Sequence, residues 1–121
     1  MQIYKDLVKN LKSVSVLVIG DLMLDRFIWG KVTRISPEAP VPVVEVTKET
    51  YMPGGAGNVA CNISALSNKA YLVGGIADDM YGNSFLKQYE NLNVDTSGIV
   101  DFEDRSTIVK TRIIAHHQQV V

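Results

Sequence analysis

Apolar residues at Ile3, Leu7, Val8 and Leu11 recur at helical spacing, so residues 2–12 are expected to form a short amphipathic helix. The pattern then changes. Val14-Ser15-Val16-Leu17-Val18-Ile19 is a nearly unbroken apolar run ending at Gly20-Asp21, the pattern of a strand buried on both faces in a parallel sheet. Residues 26–47 carry Phe27, Trp29, three prolines (Pro37, Pro40, Pro42) and the alternation Val41-Pro42-Val43-Val44-Glu45-Val46. Proline cannot donate to a ladder, so this segment is expected at an edge strand or irregular ribbon, outside the main sheet.

Pro53-Gly54-Gly55-Ala56-Gly57 breaks the chain before a second helical pattern, in which Val59, Ile63 and Leu66 share a face and Ala60 and Cys61 pack close by. Ser67-Asn68 is expected to end that helix, because Asn tolerates the left-handed conformation of a helix terminus. Ala70 to Ile76 reads as another buried strand. Asp78-Asp79-Met80-Tyr81-Gly82 leads into a helix over about 82–91 with Phe85, Leu86 and Tyr89 inward. Val94 to Val100 gives a short strand, and Thr107 to Ala115 with Gln118 to Val121 a second peripheral ribbon. Strand, β excursion, helix, strand, helix and strand in that order make an α/β fold with an inserted β lid.

Composition narrows the classes. With 121 residues there is room for one domain of ordinary size, about 100–150 residues. A net charge of −1 gives no basic field for nucleic acid or an anionic membrane. No apolar run approaches the ~20 residues of a membrane span, and the first dozen residues lack the apolar core of a signal peptide. A single cysteine, Cys61, cannot pair within the chain, which suits a reducing cytoplasm. The carboxy-terminal IIAHHQQVV is strand-like, without a turn or polar tail, so the chain is expected to be a piece of a longer protein.

The Gly-rich turn is the first candidate for chemistry. Gly54 and Gly55 present backbone without Cβ atoms, the helix after them begins with free N–H donors, and Asn58 adds an amide that can donate and accept. A polyhydroxylated ligand suits that mixture, although a plain loop-to-helix turn has the same form. Gly55-Ala56-Gly57-Asn58-Val59-Ala60 also fits a dinucleotide-binding pattern, but that pattern needs a buried strand running into the first glycine. Here the polar, proline-bearing Lys48 to Pro53 intervenes, which argues against it. No phosphate loop of the G-x-x-x-x-G-K-[ST] type is present.

Asp21 and Asp25 follow the first buried strand, where open α/β sheets bind ligands. On an extended chain they would lie ~13 Å apart, contacting different parts of a ligand instead of acting as a pair. A turn cap and a surface ion pair with Arg26 or Arg34 are the plainer roles. Lys110 and Arg112 alternate on one strand face and suit a phosphate, as they also suit solvent. His116 and His117 are expected on a strand, pointing to opposite faces and unable to hold one metal together. No grouping of nucleophile and base supports covalent hydrolysis.

Together GDLMLDRFIWG, RISPEAPVPVVEV, PGGAGNVACNISAL, GIADDMYG and IVKTRIIAHHQQ resemble, in order, the heptose 7-phosphate kinases of the ribokinase-like (PfkB) carbohydrate kinase family. PGGAGNVACNISAL is similar to the first signature of the family; RISPEAPVPV and the later Gln pair point to the heptose branch. The resemblance covers nearly everything from Val14 onward. It implies a ribokinase-like parallel sheet with flanking helices and a small β lid, truncated here, the lid being about 26–47 and 106–118 of one domain spanning 1–121. It implies an enzyme that moves the ATP γ-phosphate, with Mg²⁺, to the 1-hydroxyl of D-glycero-β-D-manno-heptose 7-phosphate, on the route to ADP-heptose and lipopolysaccharide. Many relatives fuse it to an adenylyltransferase. By the family pattern Asp25, with Asp21 nearby, and Gly54, Gly55 and Asn58 contact sugar, while Lys110 and Arg112 reach the 7-phosphate. A homodimer through the lid is also implied.

Two positions depart from the pattern in tolerable ways: Gly57 replaces a common Ala, and Ser67-Asn68 a frequent Gly. The second family signature, a Gly-Ala-Gly-Asp turn that carries the catalytic base, is absent, so the chain alone is expected to be inactive. A non-catalytic sugar-phosphate-binding or dimerisation module is the alternative, and a dinucleotide-binding enzyme a more distant one.

Overall fold

Three strands expected from apolar runs do form one parallel sheet. In the computed structural model, which describes residues 1–11, 14–66, 68–116 and 118–121, β1 (Ser15–Ile19), β4 (Lys69–Ile76) and β5 (Val94–Asp101) lie in the order β1-β4-β5. Val18 faces Leu72 and Ala70 faces Val94 across the ladders, and these four side chains are buried. Helices α2 (Ala56–Ala65) and α3 (Met80–Lys87) pack on that face, adding Ala60, Phe85 and, just past α3, Tyr89 to one core.

The opposite face differs from expectation. Leu17 and Ile19 are 59% and 70% exposed, beside the exposed Tyr71. An unbroken apolar run predicts burial on both sides, but α2 and α3 share one side. Helix α1 (Gln2–Leu11) buries no residue, so its apolar stripe does not cover the other. No described helix is long and apolar enough to cross a membrane.

The β excursion is a second sheet of four strands, ordered β3-β2-β6-β7, where β2 is Leu22–Ile35, β3 Pro42–Gly55, β6 Ile108–Ala115 and β7 Gln118–Gln119. It is longer than the alternation predicts: β2 and β3 pair antiparallel from Leu22↔Gly55 to Ile35↔Pro42, with shifts in register after Trp29 and Val32. Lys48 to Pro53, read from sequence as a polar, proline-bearing stretch ahead of the glycines, is strand. β3 is the sheet edge, so Pro42 and Pro53 are tolerated there, and its polar residues face water. Non-local pairing then brings β6 parallel to β2, with Asp25 opposite Lys110 and Phe27 opposite Arg112.

Helix boundaries and faces shift for local reasons. α3 starts at Met80, ahead of expectation, because Asp79 caps it by accepting the Gly82 N–H at 2.7 Å. Phe85 and Tyr89 point inward as expected, whereas Leu86 is 37% exposed. In α2 the buried face is the small one, Gly57 and Ala60, which lets the Phe85 and Tyr89 rings approach; Val59 and Leu66 stay exposed. Ser67 and His117 lie outside the described residues. Asn68 is not left-handed; it is buried, and its amide, oriented to satisfy it, donates to the carbonyls of Leu11 and Val14. His116 sits in the turn after β6, not on a strand, at φ 50° with Nε2 3.1 Å from the Val32 carbonyl.

Candidate functional site

Alternation along β2 sends Met23, Asp25 and Phe27 to one face and Leu22, Leu24 and Arg26 to the other. Leu22 and Leu24 are anchored in the core, so the register of Asp25 is fixed from below. From β6, Lys110 and Arg112 join the face of Asp25, and from β3, Met52 and Gly54. β6 itself is tied down at its start. Thr107 Oγ1 accepts the Ala77 N–H at 3.0 Å, and Asp79 Oδ2 accepts the Thr107 N–H at 2.9 Å. Burial alone would push the Asp79 carboxyl up, but the N–H groups of Gly82 and Thr107 hold it below its ordinary range.

At the centre Asp25 Oδ1 lies 3.4 Å from Lys110 Nζ, and Oδ2 lies 3.4 Å from Arg112 Nη1. Those distances compensate charge but make no directed hydrogen bond: Asp25 Oδ1 and Arg112 Nη1 are both buried without a hydrogen-bond partner. The Arg112 guanidinium also lies over the Phe27 ring, 5.3 Å from its centroid.

The glycine pair forms the adjoining wall. A Cβ on Gly54 would stand 2.9 Å from Asp25 Oδ1 and from Met23 Cγ, so only glycine lets β3 pass this close to the carboxylate. Gly55 has φ 56°, and a Cβ there would meet the Asp21 carbonyl at 2.5 Å. That carbonyl accepts the Ala56 N–H at 3.0 Å and holds the start of α2.

Four of the seven residues singled out from sequence therefore converge: Asp25, Gly54, Lys110 and Arg112. Gly55 adjoins them through Met23, whose Cε would be 3.2 Å from its Cβ. Asp21 contributes its backbone at the junction, outside β2 and with an exposed side chain, so the extended chain assumed between Asp21 and Asp25 begins only at Leu22. Asn58 is exposed on the first turn of α2, and no described contact joins it to the cluster. Met23 shares the face of Asp25, as an extended chain predicts, whereas Phe27 and Met52 were missed. Alternation from Asp25 would have found Phe27, while Met52 required the β2–β3 register. Cys61, expected as a buried helix residue, is partly buried, and burial pushes its thiol up.

Opposite this face lies a second charged group. Arg26 Nη2 and Nε donate to Glu49 at 2.9 and 3.3 Å, and the Tyr51 hydroxyl donates to Glu49 at 2.8 Å.

The sequence of residues 14–121 matches the model of the pfkB family carbohydrate kinases. This chain belongs to that family. It is 52% identical over 107 residues to the bifunctional protein HldE of Helicobacter pylori strain P12, covering 88% of this chain and 23% of that protein. The chain thus spans about a quarter of the length of the curated relatives it matches. Among solved structures, a carbohydrate kinase from Agrobacterium tumefaciens superposes with a TM-score of 0.71 at 23% identity, covering 88% of this chain and 34% of that one. An uncharacterised sugar kinase from Pyrococcus horikoshii, solved in complex with ATP, gives 0.61 at 25% identity, covering 88% and 32%. The ribokinase-like α/β fold expected from sequence is the fold of these neighbours. A strand does run into Gly54-Gly55. It is an exposed antiparallel edge strand, though, not the buried parallel strand such a site needs.

Proposed function

We propose that this chain is the acceptor-binding part of a kinase that transfers the ATP γ-phosphate to the 1-hydroxyl of D-glycero-β-D-manno-heptose 7-phosphate. One observation carries the reading. Asp25 Oδ1, against the Gly54 wall, and Arg112 Nη1, 3.4 Å from the other oxygen of the same carboxylate, are both buried without a hydrogen-bond partner. A buried polar atom without a partner costs about 1–3 kcal/mol, which a ligand offering a hydroxyl and an anion would recover. Asp25 accepts hydrogen bonds from sugar hydroxyls. Lys110 and Arg112 take the phosphate, Arg by its planar fork. Gly54 and Gly55 let the sugar approach the backbone, and Asp21 and Asn58 stand at the rim. The four-stranded sheet serves as a lid, excluding water that would compete as phosphoryl acceptor, and its exposed face pairs two copies in a homodimer.

ATP is the co-substrate of this reaction, and Mg²⁺ would neutralise charge on the moving phosphoryl group. Among the described residues no group of three or more His, Cys, Asp or Glu is placed to hold a metal ion, and no residue here is assigned to Mg²⁺. No residue here is assigned as the catalytic base. The setting is the cytoplasm, where sugar phosphates and ATP are found together.

Calorimetric titration of the chain with heptose 7-phosphate, ribose and fructose 6-phosphate, and separately with NAD, tests the proposal. Heat is expected with the heptose ester, weakened about tenfold or more by Lys110→Ala. Equal heats for all three sugars would remove the heptose assignment, and heat with NAD alone would replace it with a dinucleotide site.

A further inference from the structure

We infer that Asp25 is the internal counter-ion of the Lys110–Arg112 phosphate subsite, a device that makes this face discriminate against free phosphate and favour an ester that also brings hydroxyl groups. The inference rests on the sugar-phosphate reading above and adds a specificity role for Asp25 and a positioning role for Phe27.

Two cations share one carboxylate, so the cluster keeps one positive charge, and each cation is 3.4 Å from a different carboxylate oxygen. Both contacts are ionic without being hydrogen bonds, unlike the bidentate pair of Arg26 and Glu49 at 2.9 and 3.3 Å. Asp25 therefore occupies the cations electrostatically while leaving Nη1 of Arg112 with no committed acceptor. Lys110 is half exposed and can swing off the carboxylate; Arg112, at 27% exposure and stacked on Phe27, is held.

An incoming phosphate must draw Lys110 and Arg112 away from Asp25. Free phosphate does so at a cost, because it leaves a largely buried carboxylate uncompensated beside a new anion. A sugar phosphate meets no such cost, since its hydroxyls donate to Oδ1 as the cations turn to the phosphate. The carboxylate thus acts twice: it repels the wrong anion and binds the right ester. Phe27 keeps the guanidinium aimed at the same point in both states.

The test titrates the full chain with sodium phosphate and with heptose 7-phosphate, as wild type and as Asp25→Asn. The isosteric change should tighten inorganic phosphate about tenfold and weaken the sugar ester by a similar factor, reversing their ratio. A residue with a merely structural role would weaken both. Inorganic phosphate binding that is unchanged, weaker or absent in Asp25→Asn overturns the inference; Asp25→Ser repeats the measurement if the first variant loses its native circular dichroism. Phe27→Leu, which keeps every charge, should loosen phosphate about threefold in the Asp25→Asn background, and no change would remove Phe27 from the device. If wild type ignores heptose 7-phosphate, the functional reading fails, while the phosphate arm still decides the counter-ion claim.

Discussion

Two ion clusters sit one residue apart on β2 and face opposite ways. Arg26, Glu49 and Tyr51 form the satisfied one, with every contact a hydrogen bond of 2.8 to 3.3 Å. Asp25, Lys110 and Arg112 form the other, with ionic contacts of 3.4 Å and two buried atoms unpartnered. Composition does not separate them, for each has cation and carboxylate across neighbouring strands. Completion does. A cluster that closes its hydrogen bonds braces a ladder, whereas one held open beside a glycine wall keeps capacity for a ligand.

The largest effect should come from closing the open cluster. Gly54→Val places a branched side chain where a Cβ alone would stand 2.9 Å from Asp25 Oδ1. Sugar-phosphate affinity is expected to fall about a hundredfold or more, since the carboxylate must move and the approach is filled. The titration described above reads it, and an affinity within threefold of wild type would dissociate the glycine wall from the site.

A smaller effect separates anchoring from binding. Thr107 is buried, and its hydroxyl both accepts from the Ala77 N–H and donates to the Ala77 carbonyl. Thr107→Val leaves those groups unpaired and should cost about 1–3 kcal/mol of stability by urea denaturation. Because β6 carries Lys110 and Arg112, sugar-phosphate affinity should fall too, but less than for Gly54→Val. Unchanged stability would mean that the β6 start is held by other contacts.

Much of this architecture was legible beforehand, and unevenly. The parallel strands follow from apolar runs, and Asp25 and Gly54 from short motifs whose neighbours in sequence are neighbours in space. The run of β3 from Lys48 to Pro53 was not legible, because an edge strand facing water needs neither apolar residues nor every N–H, so polar residues and Pro53 mask the strand. The inward face of α2 was misread for the opposite reason. Val59 and Leu66 are the larger apolar residues, yet Phe85 and Tyr89 fill the space that only Gly57 and Ala60 leave. Nor could sequence show that Lys110 and Arg112 meet Asp25, since that depends on a parallel pairing of strands more than eighty residues apart. The pair of cations was visible, but its counter-ion was not.

The smallest effect tests the closed cluster through pH. Hydrogen bonds from Arg26 and then Tyr51 hold the Glu49 carboxyl below its ordinary value of 4.5. A carboxyl whose folded-state pKa is depressed contributes its full stability above the ordinary value and loses it as pH falls through the folded one. Glu49→Gln should therefore melt below wild type at neutral pH, by a few degrees at most because the pair is partly exposed and screened by solvent. The two melting curves should converge as the solution is acidified past the folded pKa. Sugar-phosphate affinity at neutral pH should not change, since Glu49 faces away from Asp25. A gap between the curves that widens with acid would contradict the assigned shift. A loss of affinity in Glu49→Gln would show that the two clusters communicate through β2, and that the division between bracing and binding faces is not clean.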